Sequence, residues 1–380
     1  MFRISKYIIA TVSIALLFLP FVAIGTNGSA TSVENRNIAA MPSWSDGWEF
    51  FKNLGPFISD RLPLRSKAIR IDAWVDQRVF GEDPTFGSSA SPRVILGKNG
   101  FLFLADAIDN ACSPNMSPTE SSQHFKALST LLTKSGRKVA TLVAPDKSSV
   151  HPDFLPEGLL NRKCFDEYTN ALWNSLNSAN IPGFIDLRSP LISGTKSTRR
   201  ALYLRKDSHW DSAGSLMAAQ LLVEHFDKDL WSEAVIAKEI TIQYQGDLTG
   251  LRGLPETDDA PLVGLSIPNV EVLSSENVKG LDFVDNKRVK RGGSKKLIQG
   301  KTLFLLDSFG LAALPQIEPF FADLTIVRLV DFENAKFTQL FEDADNVIIM
   351  SVERSFGYRM LAEVGSTDFL NYLTEHLIKK

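Results

Sequence analysis

The stretch KTLFLLDSFGLAA, residues 301–313, carries the clearest signal for the fold. The run that ends at Leu306 is apolar on both faces, as in a buried parallel strand, and the residues after Gly310 are typical of the start of a helix. Ser308 would therefore lie at a strand-to-helix turn, at the carboxyl edge of the sheet, where α/β proteins bind ligands. Backbone N–H groups here, including those of Phe309 and Gly310, are candidate oxyanion donors. Alternatively, Ser308 is only a helix N-cap and Asp307 a turn residue.

The stretch YLRKDSHWDSAG, residues 203–214, supplies a candidate general base. Asp207 and His209 are two residues apart, and such positions share one side of an extended segment. The carboxylate of Asp207 is therefore expected to orient the imidazole of His209 and to support its positive charge, as serine acyl transfer requires. An Asp-x-His pair also arises by chance, so the prediction depends on Ser308 as its nucleophile. A helix is predicted to begin near Ser212.

Two basic residues follow other strand-like runs. Lys147 comes after a buried-type strand, and it would either contact substrate and support an oxyanion or be a solvated loop lysine. Arg354 follows another such strand, and it would either meet the carboxylates of a polymer or form a structural salt bridge.

Strand-like and helix-like segments alternate along the chain, which predicts an α/β fold of three layers, α/β/α, with a mostly parallel sheet. Residues 47–380 are predicted to form this domain. Residues 246–300 are rich in Gly, Pro and charges, and are expected to be long loops or a small insertion. Residues 191–200 are predicted to be a loop.

The N-terminus predicts export. Arg3 and Lys6 precede an apolar run without charges, residues 7–25, which is typical of a signal peptide or a signal anchor. Its length approaches that of a membrane span and favours an anchor in the inner membrane, although Ala23-Ile24-Gly25 is a candidate cleavage site. Residues 26–46 would be a linker, and the remainder would face the periplasm.

The composition is that of an ordinary globular protein, with 44% hydrophobic and 22% charged residues, and the net charge of −3 argues against broad nucleic-acid binding. Cys112 and Cys164 would pair in an oxidising compartment, and closing this loop would contribute about 4 kcal/mol in the chain-entropy model. The alternative is two unrelated thiols. Their spacing does not indicate a metal site.

Both motifs resemble the SGNH-hydrolase-like family of O-acetyltransferases that modify alginate and other exopolysaccharides, the AlgJ and AlgX type. The resemblance runs from about residue 33 to the C-terminus, and the absence of an evident extra β-rich domain makes it closer to AlgJ. His151 is a departure, because the family has Tyr before the Pro there. Further matching segments are Glu34-Asn35-Arg36, Ala40-Met41-Pro42, residues 57–65, residues 97–103, residues 144–147 and Gly246-Asp247-Leu248.

This resemblance implies a periplasmic O-acetyltransferase with Asp207, His209 and Ser308 as its triad, in a permuted order along the chain. The acceptor would be an exopolysaccharide, the acetyl donor would arrive through a membrane-bound O-acyltransferase partner, and no cofactor or metal is expected. One alternative is an esterase that removes acetyl groups. Another is a non-catalytic polysaccharide-binding or scaffold protein of a secretion complex.

Overall fold

The computed structural model describes residues 41–60, 71, 75, 94–278, 281, 285–329 and 335–378. The predicted signal or anchor segment lies outside these ranges, and so does most of the predicted linker. Within the described ranges, every helix is too short or too polar to cross a membrane.

The chain divides into two compact units. The first contains Met1–Val94 and Asp247–Glu256, and the second contains Ile95–Gly246 and Thr257–Lys380. The described helices of the first unit are α1, Trp48–Asp60, and a short turn, Asp247–Leu251.

The described strands are β1 Val94–Leu96, β2 Leu102–Leu104, β3 Lys138–Ala144, β4 Phe184–Ile185, β5 Val235–Ile236, β6 Ile240–Gln245, β7 Thr257–Leu262, β8 Leu265–Ser266, β9 Val270–Asn277, β10 Lys287–Gly293, β11 Ile298–Leu306, β12 Phe321–Arg328 and β13 Asn346–Val352. Seven of them form the main sheet, in the order β4-β3-β13-β11-β12-β10-β9. The other strands form two-stranded sheets: β1 with β2, β5 with β8 and β6 with β7.

The main sheet is mixed. The five strands β4, β3, β13, β11 and β12 run parallel to one another. At the other edge, β10 pairs antiparallel with β12, and β9 pairs antiparallel with β10. The prediction of a mostly parallel sheet is therefore correct for these five strands, and it lacked the antiparallel edge.

Helices cover both faces of this sheet. The described helices after α1 are α2 Ala105–Cys112, α3 Pro118–Lys134, α4 Arg162–Ser178, α5 Arg188–Thr198, α6 Ser212–Phe226, α7 Ser308–Ile317, α8 Ala335–Asp343 and α9 Thr367–Leu377, with short turns at Lys147–Val150, Glu353–Ser355, Phe356–Met360 and Leu361–Glu363. Along β3, Leu142 belongs to the core cluster that contains residues of α5, α6 and α7, and its neighbour Val143 belongs to the cluster that contains residues of α3, α4 and α9. This alternation follows from the two-residue period of a strand, and it confirms the three-layer arrangement.

The predicted loop at residues 191–200 is wrong, because α5 extends to Thr198. Pro190 lies in the first turn, where a helix tolerates proline. Asp186 accepts hydrogen bonds from the N–H groups of Arg188 and Ser189, so it supports the helix start from outside.

Much of the segment 246–300 is also strand rather than loop. The basic run in β10 disguised this, because charges are depleted in typical strands. In the structure the basic side chains pair with acids: Arg288 with Asp323 on the neighbouring strand, and Arg291 with Glu318.

The predicted disulfide between Cys112 and Cys164 is confirmed, with a Cα–Cα distance of 5.2 Å. It joins the end of α2 to the first turn of α4, and this distance is ordinary for a disulfide.

Candidate active site

Ser308 is the first residue of α7, directly after the strand β11, and Asp307 is the helix N-cap. One carboxylate oxygen of Asp307 accepts hydrogen bonds from the N–H groups of Phe309, at 2.9 Å, and Gly310, at 3.4 Å. The other oxygen accepts the N–H of Val352, at 2.6 Å, at the end of β13. The alternative of Ser308 as the N-cap is therefore wrong, because Asp307 performs the capping.

Gly310 is required by close packing rather than by an unusual backbone angle. A Cβ at this position would lie 2.5 Å from the Cβ of Leu306. Glycine thus allows the first turn of α7 to fold tightly against the end of β11, which fixes where Ser308 emerges from the sheet.

Asp207 and His209 form the predicted pair. The Oδ1 atom of Asp207 accepts hydrogen bonds from Nδ1 of His209, at 2.7 Å, and from its backbone N–H, at 2.8 Å. Asp207 is buried, whereas the side chain of His209 is 19% exposed. Because Nδ1 carries the proton that Asp207 accepts, Nε2 is the nitrogen left to act as a base.

The turn that carries this pair is held from several sides. Tyr203 and Trp210 form a β-bridge across it, and the N–H of Leu204 donates to the carbonyl of His209. Gly246 approaches it closely, since a Cβ there would lie 2.0 Å from the carbonyl oxygen of Lys206. This contact is the structural reason for the glycine in the Gly246-Asp-Leu segment.

Lys147 is buried beneath the same turn, so the expectation of a solvated loop lysine is wrong. Its Nζ donates to the backbone carbonyls of Leu204, at 2.9 Å, Arg205, at 3.1 Å, and Asp207, at 2.5 Å. An ammonium group has three donors, and this geometry directs them at the turn rather than at a substrate.

His209 and Ser308 line one cavity of about 850 Å³. The structure therefore brings together the two motifs, about a hundred residues apart in the sequence. Phe309 is buried beside them, with its ring 4.8 Å from the imidazole of His209 and 5.2 Å from the indole of Trp210, centroid to centroid. Its side chain supports the imidazole.

Arg354 forms a salt bridge with Asp146, and its guanidinium lies 5.3 Å from the ring of Phe309. The structural alternative stated for Arg354 is thus the one observed. Burial raises the pKa of Asp146, an effect that Arg354 opposes. Burial also raises the pKa of Glu353 to about 7, with a further contribution from the nearby Asp146.

The sequence analysis did not identify Asp146 or Glu353. They come from the ends of β3 and β13, which pair in parallel, and the N–H of Asp146 donates to the carboxylate of Glu353 at 2.9 Å. Their positions directly after two buried strands were the available signal. His151 lies among the rings of Phe101, Phe154 and Tyr203, and burial lowers its pKa to about 4 with a further contribution from Lys147, so it is neutral near pH 7.

Comparisons with known proteins cover the Asp207–His209 motif, and the family match ends before Ser308. A family model described as the SGNH hydrolase-like domain of the acetyltransferase AlgX matches residues 94–277. The chain is 23% identical over 238 residues to a probable alginate O-acetylase AlgJ of Pseudomonas syringae pv. tomato, and 23% identical over 230 residues to that of Pseudomonas putida. These alignments cover 61% and 58% of this chain, but only 58% and 54% of the two relatives.

Two solved structures align with more than two thirds of this chain. Bacillus cereus PatB1 with a sulfonyl adduct gives a TM-score of 0.50 at 14% identity, covering 71% of this chain and 99% of that one. The O-acetyltransferase domain of P. putida AlgJ gives 0.49 at 19% identity, covering 75% and 99%. Over residues 94–277, just under half of its length, the chain is similar to the SGNH hydrolase-like domain of AlgX-type acetyltransferases.

Proposed function

We propose that this chain is an O-acetyltransferase that moves acetyl groups from a donor to hydroxyl groups of an exopolysaccharide, with Ser308, His209 and Asp207 as its catalytic triad. The observation that carries the proposal is the Asp207–His209 hydrogen bond in a cavity that Ser308 also lines. A carboxylate that orients an imidazole next to a serine is the arrangement that acyl transfer uses.

In the first half-reaction, Nε2 of His209 takes the proton of Ser308 while Oγ attacks the acetyl carbonyl. The bond between the acyl carbon and the donor's oxygen breaks, and the proton passes from His209 to the departing alkoxide. In the second half-reaction a sugar hydroxyl gives its proton to His209 and takes the acetyl group, and Ser308 recovers its proton. Asp207 keeps the imidazole in the required tautomer throughout.

The developing oxyanion needs donors that are not already in use. The N–H groups of Phe309 and Gly310 donate to Asp307, so the N–H of Ser308 itself is the better candidate. Lys147 supports the turn that carries Asp207 and His209, rather than contacting the substrate. Arg354 supports Phe309, whose ring packs against His209.

The cellular setting is also part of the proposal. The disulfide between Cys112 and Cys164 suits an oxidising compartment such as the periplasm. The apolar segment at residues 7–25 would export the chain and hold it at the inner membrane. A membrane-bound O-acyltransferase would then deliver the acetyl group, as the resemblance of the two sequence motifs to the AlgJ and AlgX type implies.

The test is acetyl transfer by the purified full chain from a small activated acetyl ester to oligosaccharides of alginate and of cellulose. Mass spectrometry of the sugars measures transfer, and release of acetate measures hydrolysis. We expect acetylated sugar with the wild type and none with Ser308→Ala. If acetate is released and no oligosaccharide becomes acetylated, the result would favour the esterase. If the protein is folded and forms neither product, the result would favour a binding or scaffold protein.

A further inference from the structure

An apolar surface lies open beside Ser308, and the β6–β7 hairpin forms one wall of it. Ile240 pairs with Leu262 and Ile242 pairs with Ala260 across the hairpin. Alternate residues of a strand share one face, and these four side chains and that of Tyr244 all line the cavity of Ser308 and His209. Ile240 is 56% exposed and Leu262 is 41% exposed, so this part of the face is open, whereas Ala260 is buried. Exposed apolar surface of this kind marks binding sites.

A second wall is helix α7, which begins with Ser308. Leu311, Ala312 and Pro315 follow Ser308 by three, four and seven residues, so they lie on the same helix face, and all three line the cavity. With a rise of about 1.5 Å per residue, this apolar stripe extends about 10 Å from the nucleophile. An extended octanoyl chain has about this length.

The polar groups of the cavity are mostly committed to the protein. Ser212 donates its hydroxyl hydrogen to the carbonyl of Pro261, at 2.8 Å, and accepts the N–H of Val263, at 2.9 Å. Asp211 caps α6. Among the described lining residues, Lys238 is the one Lys or Arg side chain. These walls therefore match a hydrocarbon better than a polyuronate, whose recognition calls for several cations and hydrogen-bond donors.

We propose that this groove binds the hydrocarbon chain of an acyl donor, so that Ser308 accepts acyl groups longer than acetyl. The proposal rests on the proposed function and extends its substrate class. A volume of about 850 Å³ suits a whole small molecule, since ligand pockets measure about 300–1,000 Å³, whereas an acetyl group has only three heavy atoms.

The chemistry is the same acyl transfer. Ser308 Oγ forms an ester with the acyl carbon, the alcohol of the donor leaves with the proton that His209 carried, and water or a sugar hydroxyl completes the cycle. The hydrocarbon chain of the acyl group would lie between the hairpin face and the apolar stripe of α7. Each methylene group placed there is removed from water.

The experiment measures kcat/KM of the full chain for the p-nitrophenyl esters of acetate, butyrate, hexanoate and octanoate. We expect an increase of at least about tenfold from acetate to hexanoate, because each buried methylene strengthens transition-state binding several-fold. Product is followed by absorbance at substrate concentrations below micelle formation, with Ser308→Ala as the blank.

Two variants test where the hydrocarbon chain of the substrate binds. Ile242→Ser makes the hairpin wall polar, and Ala312→Trp, at an exposed position on α7, fills the groove without disturbing the core. Both are expected to lower the octanoate-to-acetate ratio at least about fivefold. The matched control is Val272→Ser, which changes an exposed apolar residue on β9, outside the groove, and should leave the ratio unchanged.

The outcomes separate the two proposals. Ser308-dependent turnover that is flat or falling with chain length, or a ratio that neither variant changes, would overturn the groove proposal and leave the acetyltransferase proposal standing. Absence of Ser308-dependent turnover with every ester would overturn both.

Discussion

At the residue scale, the candidate chemistry depends on side chains that hold the turns around Ser308 and His209 in place. Asp307 shapes the turn before Ser308, Asp207 orients His209, and Lys147 ties three carbonyls of the intervening turn together. The sequence predicted the turn at Ser308 and the Asp207–His209 pair, because the residues of each motif are neighbours in the chain, but it did not predict that Asp307 is the N-cap. The position of Lys147 could not be predicted, since its hydrogen bonds reach residues nearly sixty positions away.

Lys147→Met should show that this lysine positions the turn that carries Asp207 and His209. The variant loses three charge-assisted hydrogen bonds, so we expect the free energy of unfolding to fall by about 2–4 kcal/mol. Turnover of an acetyl ester should fall at least about tenfold, mainly in kcat rather than in KM, because the substrate contacts remain.

Urea unfolding and steady-state kinetics provide the two measurements. Lys163→Met is the control, because the side chain of Lys163 is 88% exposed. A Lys147→Met protein with the wild-type kcat would contradict the positioning role.

At the element scale, the five parallel strands place their carboxyl ends at one edge, and Ser308, Asp146 and Glu353 all follow strands there. The apolar runs of β3, β11 and β13 made these strands predictable. The antiparallel edge could not be predicted. The basic residues of β10 and the exposed residues of β9 conceal the strand pattern until the acidic partners of β10 are known.

Glu353 should make stability depend on pH. Its pKa is about 7 in the folded chain and 4.5 as the ordinary value, so the folded state holds a proton that the unfolded state releases. The contribution of Glu353 to the free energy of unfolding is therefore fully present below about pH 4.5, and it is lost as the pH rises to about 7. Glu353→Gln keeps an acceptor for the N–H of Asp146 but removes this titration.

The measurement is urea unfolding between about pH 5 and pH 7.5, in wild type and Glu353→Gln. We expect the stability of the wild type, relative to the variant, to decline by about a few kcal/mol over this range. Parallel curves for the two proteins would show that Glu353 does not titrate there. Glu167→Gln, at an exposed position, is the control.

At the scale of the whole molecule, the mixed sheet fits an SGNH hydrolase-like α/β fold, and the family model matches residues 94–277, which contain only part of that sheet. The division into two units could not be predicted from the sequence, because residues 247–256 group with the N-terminal part although they lie within the segment expected to be loops. The disulfide was predictable because the chain has only two cysteines.

Removing that disulfide should destabilise the protein. We expect Cys112→Ser with Cys164→Ser to lower the free energy of unfolding by about 2–4 kcal/mol, since the link restricts the unfolded chain. Reductant should lower the stability of the wild type toward that of the double variant and leave the variant itself unchanged. Equal stabilities of oxidised wild type and double variant would show that the link contributes nothing.

The most direct test of the central claim is intact-mass spectrometry of the full chain after brief incubation with an activated acetyl ester. We predict one acetyl adduct, mapped to Ser308 by peptide analysis, absent in Ser308→Ala and formed about 10³–10⁴-fold more slowly in Asp207→Asn, whose imidazole would hold the wrong tautomer. An adduct that persists in Ser308→Ala, or a folded wild type that forms none, would contradict the assignment of Ser308 as the nucleophile.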